Sequence, residues 1–520
     1  MTRSGVVAPV LVGLVALAGY ARTVMPGVGY WDTAEFQTVL PTLGIAHPTG
    51  FPTYVILGWL ANAILAPLGE PALRMNVLSA ILVAAAAGSC VVLVRRLTGS
   101  VLLGVAAGLG LAATPIAWGI ATHADPHALH LLLVGVLLVL LAGWEDARSA
   151  GARHADRWLV AATLVFGLSA GNHSLTLLIA VPVGLFVLAV DPQIWQRRIA
   201  PICLGVLTVT VVLLYLELPI RSGLLPAPLV YGSPDTWEGF RYIVLAEQFR
   251  GSFVDPTSDP GARVSGFIAL AEAQFGRLAL LVPVGFVATL ARRPRYALLS
   301  GMALLITVVF SAFYINADIG RYYLGPALIA WTWLAILGRA LVDGLTGLAH
   351  DAEPEIAGSS RGSPARARAT RVRHVRVAAT AMVAVALIVP TALAIPARLI
   401  AADRSGDPGS RPWLDATMAA IDPDAVIVSW WSYSTALWYA QVIDGQRPDV
   451  WIVDDRTRID QALGDVIDVI DANFATRPVY LIRSDPREIV RLREHYVVER
   501  VGDGPLIDVF RVISRAGAAR

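Results

Sequence analysis

The stretch GYWDTAEFQTVLPTLGIAHPTGFP, residues 29–52, sets two carboxylates three residues apart, Asp32 and Glu35, with His47 after them in a run of turn formers. A carboxylate within hydrogen-bond reach of a hydroxyl takes its proton as that hydroxyl attacks. Pro48 and Pro52 exclude ordinary helix around the histidine, and Gly50 permits a tight bend. The next polar mark is Arg74, in ALRMNVLSA, and arginine forks suit phosphate. A carboxylate pair, a histidine and an arginine would together meet a ligand with a charged head. D-x-x-E is also capping-box spacing, with Asp32 as N-cap and Glu35 three positions on. The two roles are compatible, since a capped helix start holds a carboxylate rigidly.

These groups must be positioned by an apolar chain. It has 520 residues, 56% hydrophobic and 15% charged, with mean hydropathy +0.62. Repeated apolar runs of about 17–25 residues are long enough to cross a bilayer, so the pattern is that of a polytopic helical membrane protein. The net charge of +2 offers no electrostatic footprint for nucleic acid. Cys90 and Cys203 sit inside apolar runs and read as small buried hydrophobes.

Eleven spans are expected, at 6–24, 77–94, 101–118, 127–143, 158–173, 174–190, 200–218, 265–290, 297–315, 323–343 and 377–396. The first reads as a retained anchor. Arginines cluster at 95–96, 148–157, 197–198, 292–295 and 361–376, and the positive-inside rule makes these ends cytoplasmic. They share one side only if residues 51–69 do not cross, so that segment is expected to lie along the outer leaflet or re-enter it. The expected organisation is a membrane core at 1–344, with its first external loop at 25–76. An Arg-rich cytoplasmic linker at 345–376 follows, disordered at its Gly/Ser/Pro/Arg-rich end, then a last span at 377–396. Residues 397–520 alternate strand and helix patterns and read as a soluble α/β domain on the outer face.

W-D-T-A-E-F, then L-G-I-A-H-P-T-G-F-P, then R-M-N resembles the transmembrane protein 260 family of protein O-mannosyltransferases. GLSAGNHSLT (167–176), YLELPIR (215–221), NADIGRYYLGP (316–326) and ALWYAQVIDGQRPDVWIVD in the tail are similar as well. A looser similarity reaches the GT-C glycosyltransferases. The resemblance implies a GT-C-like fold and a multi-spanning enzyme that uses a polyprenyl-phosphate-linked sugar on the external face of a bacterial cytoplasmic membrane. It makes Asp32 the base and Glu35 a helper or substrate-orienting group. One departure stands out. After ATPIAW the family pattern has a Glu-Val-Tyr-like stretch, and this chain has HADPHAL (123–129), in which His123, Asp125 and His127 replace it.

In such a transfer the acceptor hydroxyl loses a proton to a carboxylate, and the leaving phosphate needs positive charge. Arg74, Arg221 and Arg321, each near the external end of a span, are the candidate phosphate ligands, with His47 beside them. The alternatives are snorkelling and, for Arg321, a pair with Asp318. Asn172, His173, Asp125 and Tyr322 are the further substrate-contacting candidates; for Asn172 and His173 the alternative is polar glue between helices. No cofactor is required, and no metal site is expected. A single base with in-line displacement implies inversion at the anomeric carbon. The partners the resemblance implies are the lipid-linked sugar, mannose as carried from the family with arabinofuranose as the other candidate, a protein Ser/Thr or glycan acceptor, and the bilayer itself. Two other classes compete: a lipid or glycan transporter, and a non-catalytic scaffold for envelope assembly. Polar residues gathered on one face, without paired broken helices, count against the transporter.

Overall fold

The computed structural model describes residues 4–255, 258–351, 363–483, 485–501 and 509–517. Among these, seven helices are long and apolar enough to cross a membrane: Pro71–Thr98, Pro126–Ser149, Ile199–Leu224, Pro260–Arg292, Pro294–Phe313, Ile319–Gly347 and Thr370–Ala402. The protein is a multi-pass membrane protein. The other four expected spans fall on shorter helices.

In chain order the first elements are α1 (Ser4–Ala21), α2 (Trp31–Thr42), α3 (Pro52–Ile64), α4 (Pro71–Thr98), α5 (Val101–Ala112), α6 (Pro115–Ile120), α7 (Pro126–Ser149) and α8 (Ala155–Ala170). The 13 residues of α3 rise only about 20 Å, short of the ~30 Å hydrocarbon core, so α3 does not cross by itself. The expected span at 101–118 is broken, because Pro115 opens a new helix after the turn at Ala113–Thr114. The expected span at 174–190 is likewise divided, into Leu175–Leu178 and Ala180–Val190. At the Arg-rich linker the expectation of disorder is corrected in part. Helix resumes at Ser363 and runs unbroken to Ala402, so the expected last span at 377–396 is the middle of a longer helix. Residues 352–362 lie outside the described residues.

The core sits on α4 and α7, whose apolar windows are 72% and 78% buried, whereas Ile199–Leu224 and Thr370–Ala402 are 17% buried and present most of their surface outward. Small residues permit the closest approaches. A Cβ on Gly88 of α4 would come within 3.0 Å of the Pro9 carbonyl oxygen of α1.

The tail folds as a small α/β unit. Its strands are β1 (Val426–Ser429), β2 (Trp451–Val453), β3 (Val479–Ile482), β4 (Tyr496–Val501) and β5 (Val509–Arg515), in the order β2-β1-β3-β5-β4. β1 pairs in parallel with β2 and β3, and β5 runs antiparallel to β3 and β4. The parallel strands β1 and β3 are buried along their whole length, as strands covered on both faces must be. The tail helix Trp431–Val442 lies on α2, and the aromatic core is shared between them and the segment at 229–244. Arg411 fastens the contact, reaching Glu70 and Asp444 at 2.5 Å each, while Tyr439 accepts the Ala72 N–H with its hydroxyl at 3.2 Å.

Candidate active site

The N-terminal ends of α2, α4, α7 and the helix Leu324–Asp351 meet beneath the tail domain. Each brings one polar side chain: Asp32, Asn76, Asp125 and Arg321. α2 does not start as a capping box. Its N-cap is Tyr30, which makes no side-chain cap bond, and Trp31 enters the helix with φ +58°. Asp32 therefore lies inside the first turn and points away from the backbone. A carboxylate there is favoured by the helix dipole. Left-handed φ values recur at Leu43 and Phe51, at the end of α2 and just before α3. Such conformations in non-glycine residues concentrate where a surrounding structure over-determines them.

Arg321 bridges two carboxylates. Its Nη2 lies 2.7 Å from Asp32 Oδ2 and its Nη1 3.0 Å from Asp125 Oδ2. Asp125 is the N-cap of α7: its Oδ1 accepts the His127 N–H at 2.7 Å and meets His127 Nδ1 at 2.8 Å. The Asp125 N–H in turn donates to Ser79 Oγ at 3.2 Å. Burial alone would push the Asp125 carboxyl up, but His127 and Arg321 hold it well below the usual carboxylate range. In the HADPHAL stretch, Asp125 is thus the buried partner of Arg321. Asp32 differs from it in access, with 22% of its side chain exposed against 2% for Asp125. It is the more exposed carboxylate of the two that Arg321 bridges.

Glu35 is fully buried and bound to His47 twice. It accepts the His47 backbone N–H at 2.7 Å on Oε1, and its Oε2 lies 2.5 Å from His47 Nδ1. The pair locks the HPTG turn onto α2. Gly50 supplies that turn with φ +78°, and a Cβ there would press on Leu218 and Ile243 at 3.1 Å. Burial lowers the affinity of His47 for its proton, yet Glu35 outweighs this and the imidazole titrates above its ordinary 6.5. A raised value means the imidazolium's contribution to stability is full below 6.5 and is lost as pH rises through the folded-state value. His47→Gln is therefore expected to flatten the stability profile above pH 6.5, and thermal melts of the two proteins across that range check it.

The aromatic wall is continuous. His127 stacks on Tyr322 with centroids 5.2 Å apart, and His173 lies 4.5 Å from His127 and 5.6 Å from Phe51. Asn172 donates to the Pro126 carbonyl at 3.1 Å, so it ties the loop after α8 to the start of α7.

Two of the expected phosphate ligands are engaged elsewhere. Arg74 donates to the Gly69 carbonyl and to Asn62 Oδ1 (3.0 Å), closing the connection from α3 to α4. Arg221 donates to the Leu43 and Thr42 carbonyls at 2.9 and 3.3 Å, at the opposite end of α2 from Asp32. In the R-M-N motif it is Asn76 that serves the site. Its Oδ1 accepts from Gln37 Nε2 and from the Ala124 N–H, and its Nδ2 donates to the Met25 carbonyl. One amide thereby holds α2 and the two loops that lead into α2 and α7. The signal for it was present in the motif and was masked by the arginine two residues earlier.

Beside Arg321, Tyr323 lines an apolar cavity of about 650 Å³ between the helices 260–275, 282–292, 294–313 and 324–351, with Phe267, Phe286, Leu298 and Trp333 on its walls. The site therefore combines an accessible carboxylate, a guanidinium and a greasy groove that begins at the same residue triplet. Among the described residues no group of three His, Cys, Asp or Glu side chains is placed to hold a metal ion.

Residues 32–196 match the sequence profile of the Protein O-mannosyl-transferase TMEM260 N-terminal domain. The Protein O-mannosyl-transferase TMEM260 of Mus musculus is 29% identical over 334 residues, which cover 61% of this chain and 45% of the mouse protein. The chain spans about half the length of that curated relative. Among solved structures, ArnT from Cupriavidus metallidurans bound to undecaprenyl phosphate superposes with a TM-score of 0.59 at 17% identity, covering 98% of both chains. The archaeal oligosaccharyltransferase AglB from Archaeoglobus fulgidus, in complex with an inhibitory peptide and a dolichol-phosphate, gives 0.53 at 14% identity, covering 97% of this chain and 74% of AglB. The chain is thus similar to the TMEM260 family over residues 32–196, and it carries the GT-C glycosyltransferase fold along its length.

Proposed function

We propose that the protein is an inverting glycosyltransferase that moves a sugar, mannose by the family likeness, from a polyprenyl-phosphate donor to an acceptor hydroxyl. The observation that carries this reading is the Asp32–Arg321–Asp125 bridge, two residues along the chain from Tyr323 in the wall of the 650 Å³ apolar cavity. A lipid-linked phosphate sugar needs an apolar groove for its tail, positive charge for its phosphate and a base for the incoming hydroxyl, and these lie together here. The lipid phosphates bound by ArnT and AglB support the same donor class.

In the proposed step the acceptor oxygen attacks the anomeric carbon and its proton passes to the Asp32 carboxylate. The bond from that carbon to the phosphate oxygen breaks, and the electron pair leaves with the polyprenyl phosphate. The charge that develops there faces the Arg321 guanidinium, already oriented by Asp125 and so needing little reorganisation. Asp125, His127 and Asn76 act as positioning residues. The acceptor is a protein Ser/Thr or a growing glycan, and the site faces the outside of a bacterial cytoplasmic membrane.

The donor half of this reading is tested by narrowing the groove. Ala330→Trp, in the cavity wall, is expected to weaken undecaprenyl-phosphate binding at least about ten-fold by native mass spectrometry, because the lost apolar contact is of order 1.4 kcal/mol or more. Unchanged binding would place the lipid elsewhere. The orientation is tested by single cysteines: Arg404→Cys labels from outside and Ala365→Cys from inside with an impermeant maleimide, and the reverse pattern contradicts the orientation.

A further inference from the structure

The tail domain faces the membrane site with the carboxyl ends of its parallel strands. β1 ends at Ser429 and runs into Trp430 and Trp431; β2 ends at Val453 and runs into Asp454 and Arg456. In open α/β sheets, ligands bind outside the carboxyl ends of parallel strands, where neighbouring connections leave in opposite directions. β1 has that position here, between β2 and β3.

The side chains at this edge are aromatic and incompletely paired. Trp431 lies 5.7 Å from the His47 ring, centroid to centroid, and donates its indole N–H to the Tyr231 hydroxyl. The Arg456 guanidinium packs over Tyr242 at 4.5 Å and Tyr231 at 5.4 Å. Its Nη1 donates to the Tyr242 hydroxyl and to Gln248 Oε1 at 2.9 Å, and its Nε lies 3.6 Å from Asp460 Oδ2. Its Nη2 is buried with no hydrogen-bond partner, although only 8% of the residue is exposed. Asp454 is fully buried. Its Oδ1 accepts from the Thr457 N–H and hydroxyl at 2.7 Å each, and its Oδ2 has no hydrogen-bond partner. A buried donor and a buried acceptor left unsatisfied are each costly.

We infer that this edge is a second subsite, which takes a sugar ring: the half-buried Trp431 offers it an aromatic face, Arg456 Nη2 a hydrogen-bond donor and Asp454 Oδ2 an acceptor. A ring with neighbouring hydroxyls supplies both missing partners and an apolar face as well. An anion would satisfy Arg456 but would set like charge against Asp454. The inference rests on the transferase reading for the source of the ring, either the sugar carried by the donor or a sugar at the end of a glycan acceptor. In either case the tail domain is part of the active site, coupled to Glu35 through Trp431 and His47.

The test uses the full chain in nanodiscs and two variants. Asp454→Asn keeps the helix cap, and Arg456→Met keeps the stem between the tyrosines; thermal melts verify folding of each. Saturation-transfer NMR is run with methyl α-mannopyranoside and methyl α-arabinofuranoside. The wild type and Asp32→Asn are expected to transfer saturation to the ring protons of one glycoside, and both edge variants to bind it about ten-fold more weakly, as the loss of a charge-assisted hydrogen bond implies. Equal signals in wild type and edge variants, or none in any, overturn the subsite. With turnover in hand, a raised KM for acceptor assigns the ring to the acceptor and a raised KM for donor assigns it to the donor; both KM values unchanged overturn the subsite. Glycoside binding without turnover of any donor would sink the transferase reading and leave the subsite standing.

Discussion

Asp32→Asn is expected to reduce sugar transfer by about 10²–10⁴-fold, the usual contribution of a positioned general base, while the melting temperature stays close to wild type. The two halves of this expectation have separate causes. Asp32 is the accessible member of the Arg321 bridge, so a substrate hydroxyl reaches it. Asparagine has nearly the same shape and still accepts a hydrogen bond from Arg321, and Asp125 still neutralises the guanidinium at 3.0 Å. The fold therefore loses little. Binding of undecaprenyl phosphate should also persist, because Asp32 is not among the residues that line the apolar cavity. The variant is checked by initial rates and melts on one preparation. A fully active Asp32→Asn enzyme rules out the base assignment. Loss of folding would instead give Asp32 a structural role.

Arg321→Met should be more damaging and in a different way. It leaves Asp125, with 2% of its side chain exposed, without its main cation, and removing one partner of a buried ion pair costs about 3–5 kcal/mol. A marginally stable protein feels that strongly. Activity should vanish with it, since the leaving phosphate loses its counter-charge. The double variant Arg321→Met with Asp125→Asn separates the two effects. Removing the orphaned charge is expected to restore most of the thermal stability without restoring transfer. If the double variant recovers activity as well, Arg321 is only a structural clamp. Because Asp125 titrates below the ordinary carboxylate range, the stability it lends is present above that range and is lost as pH falls through its folded-state value.

Much of this arrangement was legible in the chain. The spacing of apolar runs gave the seven long helices, and the segment expected not to cross contains the 13-residue α3. Alternation in the tail gave its strands, since β1 and β3 are short apolar runs bounded by turn formers. Asp32 and Arg321 were named separately, and their meeting at 2.7 Å depends on packing between elements far apart in sequence. Local spacing misled in one place. D-x-x-E reads as a cap, but the left-handed turn at Trp31 moves the helix start forward and frees both carboxylates for tertiary partners. Charge misled in another. Arg74 and Arg221 carry the obvious charge near the site, yet they satisfy helix-end carbonyls, while the neutral Asn76 holds three segments together. The pairing of Trp431 with Tyr231, and of Arg456 with Tyr242, joins the tail to the segment at 229–244. Nothing periodic in either segment announces the other.

The central claim is that a single base drives in-line displacement of a polyprenyl phosphate. It is tested most directly by following the anomeric carbon. Purified wild-type protein would be given polyprenyl-phosphate mannose, and in parallel the arabinofuranose-linked lipid, each ¹³C-labelled at the anomeric position, with envelope and secreted-protein extracts as acceptor. Consumption of one donor, with the product bond in the opposite anomeric configuration, is the predicted result. Retention of configuration, or no consumption of either donor, would contradict it.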